Sequence, residues 1–381
     1  MKINTIQELE QAYYGRQGGM IQKVDAPILT TTTGVYNAVF GAFVWSLLNQ
    51  EANVFGVLPK TPWLRSGWRL KTAKAGTDET GGIGEAGTIP DSVKPTFVEV
   101  TNTLKTIAHT LEVSEHQQYL YDKDDGAASL EWLRQDAGVR HKEQMNIMLL
   151  SDVSADAAAS GGDYTGRNDL ETIDRVISND SEEDAFGGSD NGFFDIFGLD
   201  RDTATTFDSF VDHNSGVDRA MTDLLLRTLI WTIKQNGGNT TVFVTGFDTY
   251  RTVIGLYADQ VRYSILGENA VSIGVNGIQT EKGFDTGMRV SAVYGIPMIM
   301  SKDTTQDTIS RIYALDTSDP ENSGEPRIGI SIAKPTQYFE SGVDAGDPFP
   351  IDKFSTQGVY RTMGEVRCTT LQAQGKIRDL L

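Results

Sequence analysis

Between residues 61 and 153 the chain strings together parts that cannot complete a core by themselves. A short alternating run, Trp68-Arg69-Leu70-Lys71-Thr72-Ala73-Lys74, leads into a polar, glycine-rich tongue at 75–90. A β-branched run returns over 96–113, and a helix-like span follows at 129–150. The outer runs have strand chemistry, and the tongue is too long and too polar for a tight hairpin turn. Such a tongue buries little against its own subunit. It calls for a neighbour.

Composition narrows the classes. With 381 residues, 39% of them hydrophobic, the chain can bury one large core or two medium ones. No run of about 18 apolar residues occurs, so no membrane-spanning helix is expected. The opening MKINTIQELEQAYYG lacks the apolar segment of a secretory signal. Cys368 is the only cysteine, which excludes an internal disulfide and a multi-cysteine zinc or iron–sulfur site. The histidines, His109, His116, His141 and His213, include no i, i+4 pair.

Acids outnumber bases 52 to 33, a formal charge of −19. A chain so charged repels nucleic acid phosphates unless its bases gather on one face, and no basic block is present. The balance suits a protein hydrated in strong salt, where screening shortens self-repulsion; plain solubility explains it equally. Fifteen of the acids fall in 156–215 beside three arginines. That stretch reads as an acidic surface insertion, with Glu182, Glu183, Asp184 and Asp190 solvated and a short helix near 170–177.

The remainder mixes helices and strands without a βαβ repeat, which gives an α+β class. Residues 1–60 read as an extended arm, inside which 36–48 (YNAVFGAFVWSLL) is apolar nearly all round and must be covered. The 129–150 span carries Leu130, Leu133, Ala137, Gln144 or Met145, and Met148 along one stripe, a beam roughly 33 Å long. A second globular unit starts with an amphipathic helix at 216–234, stopped by Gly237-Gly238. A strand at 240–245, a helix at 247–258 and strands at 288–293, 297–301, 311–315 and 328–332 follow. Residues 358–380 alternate as strands.

In this order of parts, and in the strings ETGGIGEAG (79–87), NIMLL (146–150) and GIPMIM (295–300), the chain resembles the major capsid proteins of tailed double-stranded DNA viruses, which share the Hong Kong 97-type fold. The resemblance implies an N-terminal arm at 1–60, an extended two-stranded loop at 61–110 and a peripheral domain with a spine helix at 111–155. The 156–215 insertion, an axial domain at 216–342 and a return to the peripheral domain at 343–381 complete it. It implies self-assembly into hexamers and pentamers, a virion location after synthesis in a host cytoplasm, a portal, and packaged DNA bound without sequence specificity. No coiled-coil segment precedes the arm-like sequence, so a separate scaffolding protein is expected. Residues expected to face neighbouring subunits are Trp63, Trp68, Lys71, Lys74, Glu79, Glu85, Arg134 and Arg140. Lys71 and Lys74 match no partner for an intersubunit isopeptide.

Chemical readings are weaker. Gly81-Gly82-Ile83-Gly84 lacks the Gly-Lys-Ser/Thr of a P-loop, and Asp78, Glu79 and Glu85 beside it would repel phosphate. Asp200 and Asp202 are candidates for a structural Ca²⁺ or Mg²⁺, without the full oxygen-ligand run such an ion needs. With so many acids, a glycosidase-like carboxylate pair carries no weight. No Gly-x-Ser-x-Gly elbow occurs, and His109 and His141 read as structural or surface residues. Neither catalysis nor a cofactor is expected. Trp63, Trp68, Trp132 and Trp231 read as core or interface anchors. The rival readings are a secreted or surface-layer Ca²⁺-binding protein and an acidic hydrolase from a salt-loving microbe.

Overall fold

The computed structural model describes residues 51–73, 85, 87, 95–124, 130–152, 168–187, 194–202, 207–257, 291–321, 323–342 and 354–381. The apolar run 36–48, most of the tongue, and Lys74, Glu79 and Asp190 lie outside them. In chain order the elements are α1 (Asn53–Val57), β1 (Lys60–Pro62), β2 (Gly67–Ala73), β3 (Thr96–Thr101) and β4 (Lys105–Ser114). Next come α2 (Glu115–Asp124), α3 (Leu130–Leu149), α4 (Ile173–Val176) and α5 (Asp180–Glu182), the last running into a π turn, Glu183–Gly187. Then follow β5 (Phe210–Asp212), α6 (Asp223–Gln235), β6 (Val242–Thr245), α7 (Phe247–Tyr257), β7 (Ser291–Val293), β8 (Ile296–Met300) and β9 (Ile312–Leu315). Two long strands, β10 (Ile328–Gly342) and β11 (Ser355–Cys368), precede a 3-10 turn (Leu371–Ala373) and β12 (Gly375–Ile377).

The expected return run at 96–113 is two strands. β3 pairs with β2, whereas β4 joins a four-stranded sheet ordered β1-β10-β11-β4. Asn102 marks the break: its backbone N–H reaches the Ser66 carbonyl and its side-chain amide donates to the Val366 carbonyl at 2.8 Å. The helix expected from 216 starts only at Asp223, because Ser215 and Gly216 take positive φ and Arg219 bridges to Leu380. The strand expected at 328–332 runs on to Gly342.

The chain divides into two compact units. One comprises 51–106, 144–334 and 363–381. Its six-stranded sheet is ordered β5-β12-β9-β6-β8-β7, with β5–β12 and β6–β8 parallel and the other pairings antiparallel. Helix α6 buries Leu226, Leu229 and Ile233, and α7 buries Val253, in one cluster with Phe243, Met298, Ile312, Ala314 and Ile377. The i, i+3, i+7 spacing along α6 puts those three side chains on a single stripe. Strands β7 and β8 close over Tyr294-Gly295, both at positive φ, as a two-residue hairpin turn requires. Buried Asn146 ties this unit together. Its Oδ1 accepts the Val54 and Phe55 N–H groups at the start of α1, and its Nδ2 donates to Asp303 at 2.6 Å.

The second unit comprises 1–50, 107–143 and 335–362. Its core joins Leu111 and Val113 with Leu130, Leu133 and Ala137, flanked by Trp132, Tyr338 and Tyr360. Leu133, Ala137, His141, Met145 and Leu149 are all buried at four-residue spacing along α3, so His141 and Leu149 join the stripe expected from the sequence, while Gln144 and Met148 are only half-buried. Arg134 forks onto Glu340 at 3.0 and 2.5 Å.

Residues 156–215 are in part buried where they are described, although Asp184, Asp200 and Asp202 are exposed. Asp174, Glu182 and Glu183 are buried, as are Ile173, Val176, Ile177 and Phe194. Asp174 accepts from Lys376 and Arg311, each at 2.9 Å, and from the Tyr313 hydroxyl at 3.1 Å. Glu182 meets Lys376 at 2.7 Å and Arg378 at 2.8 Å, and Ser178 donates to its other oxygen. Buried charge persists only with such partners. Burial alone would raise the Asp174 carboxyl, but Lys376, Arg311 and Arg378 overcome it and hold it below the usual carboxylate range. The expectation that Glu182 and Glu183 are solvated is overturned; Asp184 alone of the described three is exposed.

Candidate functional site: the extended hairpin and its base

Strands β2 and β3 form a two-stranded sheet of their own. Their register runs from Gly67 opposite Thr101 to Lys71 opposite Phe97, with a bulge before Ala73 pairs with Thr96. Such ribbons are marginal in water unless something covers a face. Here Arg69 and Glu99 pair at 2.9 Å in full view of solvent, and Phe97 is 58% exposed. The ribbon is held at its root. Trp68 packs edge-on to Phe197 at 5.2 Å, and the Arg367 guanidinium lies 4.8 Å above the Trp68 ring. Gly67 is required there, since a Cβ would fall 2.6 Å from the Val100 carbonyl oxygen. Beside the root runs an open groove of about 660 Å³, whose lining includes Trp68, Lys71, Phe97, Phe207, Glu325 and Arg367.

The other candidates are spread out. Trp63 is half-buried and extends the β1–β10 pairing, its N–H on the Ile332 carbonyl at 2.9 Å. Lys71 and Glu85 are exposed. Arg134 is engaged with Glu340, and exposed Arg140 donates to the Thr110 carbonyl. Asp200 accepts the Asp202 N–H in a local turn, and among the described residues no group of three or more His, Cys, Asp or Glu could hold a metal ion. Sequence reasoning missed Phe197 and Arg367, which fix the hairpin root. Nothing local in either segment signals that role.

Two histidines meet. His109 on β4 and His141 on α3 share a hydrogen bond between their Nδ1 atoms at 2.7 Å, and His141 Nε2 reaches the Thr362 hydroxyl at 2.7 Å. Burial, with His109 adding to it, pushes the His141 imidazole down to about 4; burial and nearby Arg140 lower His109 as well. The folded values lie below 6.5, so the stability the pair contributes is present above that pH and is lost as pH falls toward 4. We expect acid titration to cost on the order of 1–2 kcal/mol here, screened because His109 is partly exposed. A His141→Gln variant, followed by denaturant melts from pH 7 to 4, should show a flatter profile. A parent profile already flat over that range would contradict this.

Glu365 has the opposite sign. Its Oε1 accepts the Glu171 and Val366 N–H groups, and Lys105 lies 3.5 Å from Oε2. Burial nevertheless raises its carboxyl to about 7, against the pull of Lys105. Its contribution is therefore complete below about pH 4.5 and is lost as pH rises through 7, up to about 3 kcal/mol. Glu365→Gln, which still accepts those N–H groups, should be more stable than the parent at pH 8 and no better at pH 5. Equal gains at both pH values would remove the titration argument.

Among the described residues Ser181 Oγ lies 3.0 Å from His213 Nε2. His213 Nδ1 accepts the Ser215 N–H, so Nε2 carries the proton and donates to the serine. That tautomer cannot take the serine's proton. Cys368 is buried, and burial pushes its thiol up to about 12.

The fold matches known shells. The structure aligns with the capsid asymmetric unit of cyanophage A-1(L) at a TM-score of 0.54 and 12% identity, covering 94% of this chain and 97% of that one. It aligns with the capsid of a native GTA particle at 0.52 and 9% identity, covering 94% and 96%, and with that of an empty GTA particle at 0.51 and 11%, covering 89% and 93%. At such identities the likeness establishes the Hong Kong 97-type fold and nothing finer. A search of curated protein sequences gives no match. The SU10 major capsid protein profile matches residues 59–293, from β1 through β7. With well over half its length inside that match, the chain belongs to the SU10 major capsid protein family and is a structural protein of an icosahedral phage shell.

Proposed function

We propose that copies of this chain associate into hexameric and pentameric capsomers that enclose double-stranded DNA. The hairpin carries the reading: a ribbon outside both larger sheets, with Phe97 exposed, is built to be covered by another subunit. The arm at 1–60, the loop at 61–110 and the axial domain at 216–342 are the segments proposed to touch neighbours. Trp63, Trp68, Lys71, Lys74, Glu79, Glu85, Arg134 and Arg140 are the first residues to test. Many small contacts repeated by symmetry then close the shell. The charge of −19 favours DNA that slides inside rather than sticks. A portal and a scaffolding protein are the further partners, and the role is non-enzymatic. A salt-loving host has only the acid excess for support, and burial of Asp174, Glu182 and Glu183 removes part of it.

Electron microscopy of the purified protein, with light scattering over a range of salt and protein concentration, tests the reading. Shells or rings support it. Particles of 41.7 kDa under every condition would overturn it.

A further inference from the structure

Helix α6 presents to solvent a face unlike the rest of this acidic chain. Leu224 is 65% exposed and Trp231, two turns along the same stripe, 63%. Arg227 stands between them, and Lys234 is exposed at the helix end. The face continues onto α7. The Tyr257 hydroxyl at its end and the Tyr294 hydroxyl in the β7–β8 turn both donate to Asp223 Oδ1 at the start of α6. Ile254, 42% exposed, and Arg251 lie outward on α7. Asp223 is the acid among them, and it is occupied by Arg227 and the two hydroxyls.

A large exposed tryptophan beside aliphatic side chains, with three cations around them and Asp223 as the counter-acid of Arg227, marks a docking surface more than a solvated helix face. Charge selects the occupant. In a chain of net −19, a face bearing Arg227, Arg251 and Lys234 around an apolar centre is complementary to the surface of another copy. Self-pairing of the same face would bring its arginines against each other, so the contact is head-to-tail, the kind that closes rings. We propose that the outward face of α6, with Ile254 and Arg251 of α7, docks onto an acidic surface of a second copy of this chain. The proposal rests on the reading that copies of this chain associate, and it adds which face does so.

The test uses the full chain carrying Trp231→Cys. Cys368 is buried with a raised pKa, so position 231 holds the single reactive thiol and takes a benzophenone maleimide cleanly. Mixed isotope-labelled and unlabelled protein is irradiated, and the crosslinked peptides are identified by mass spectrometry. Crosslinks joining labelled to unlabelled peptides rich in Asp and Glu support the proposal, and they count in soluble oligomers even if no shell forms. Failure of shells therefore strikes the assembly reading and leaves this one standing. Crosslinks only within a chain, for example to 258–290, overturn it, and so do crosslinks to added DNA or none at all. In parallel, Leu224→Asp with Trp231→Asp should leave the melting midpoint unchanged, since both side chains are exposed. It should raise the concentration needed for half-association by on the order of tenfold or more. Association at the parent's concentration would also overturn the proposal.

Discussion

Replacing Asp174 by alanine should destabilise the unit that holds the six-stranded sheet by about 3–5 kcal/mol, more than any other single substitution considered. The side chain is inaccessible, and three groups converge on it: Lys376, Arg311 and the Tyr313 hydroxyl. Removing the carboxylate leaves the Lys376 ammonium, itself fully buried, with Glu182 and the Asp174 backbone carbonyl to hold it. Arg311 keeps Asp307 at 2.8 Å and partly exposed Asp152 at 3.2 Å. The cost is thus that of leaving charge under-compensated in a medium of low dielectric, which exceeds the net worth of the pair itself. Asp174→Asn keeps the shape and loses the charge, so it should fall between parent and alanine. Arg69→Ala is the contrast: its partner Glu99 and Arg69 itself are mostly solvent-exposed, and the change should cost under about 1 kcal/mol. Urea melts with tyrosine and tryptophan fluorescence measure all three. An Asp174→Ala midpoint within error of the Arg69→Ala midpoint would show that the buried network adds no stability.

That network was illegible in the sequence, and the reason is physical. Asp174 and Glu182 sit in a stretch with fifteen acids and three arginines, where local counting gives a hydrated surface. Their countercharges come from far along the chain: Arg311 beside β9, and Lys376 and Arg378 at the C-terminal strand. Only tertiary pairing decides whether a carboxylate is solvated or buried, and no periodicity carries that information. By contrast, α3 was legible to within a residue or so at each end, because Leu130, Leu133, Ala137 and Met145 recur at helical spacing and all four are buried. The β7–β8 hairpin was legible from Gly295, which a two-residue turn demands. At the candidate site, the hairpin strands were readable from the alternation around Trp68 and the β-branched run from Thr96. The root was not, since Phe197 and Arg367 reach Trp68 from segments with no local signature.

Deleting residues 76–88 should abolish shell formation while leaving the subunit folded. The deletion spares the paired register from Gly67–Thr101 to Ala73–Thr96. It also spares the root, where Trp68 meets Phe197 and Arg367 and where Asn102 is tied to Ser66 and Val366. The described buried clusters are built from residues at 111 and beyond, so the melting midpoint should move by less than about 1 kcal/mol equivalent. Assembly is different. A shell repeats each contact at every symmetry-related position, so losing a modest contact per subunit multiplies across the particle. A ribbon with Phe97 exposed, held at its root by Trp68, is placed to offer its outer length to a neighbour. Electron microscopy and sedimentation of parent and deletion at matched concentration give the answer. Complete shells from a normally folded deletion variant would mean that the extended loop takes no part in closing the capsid.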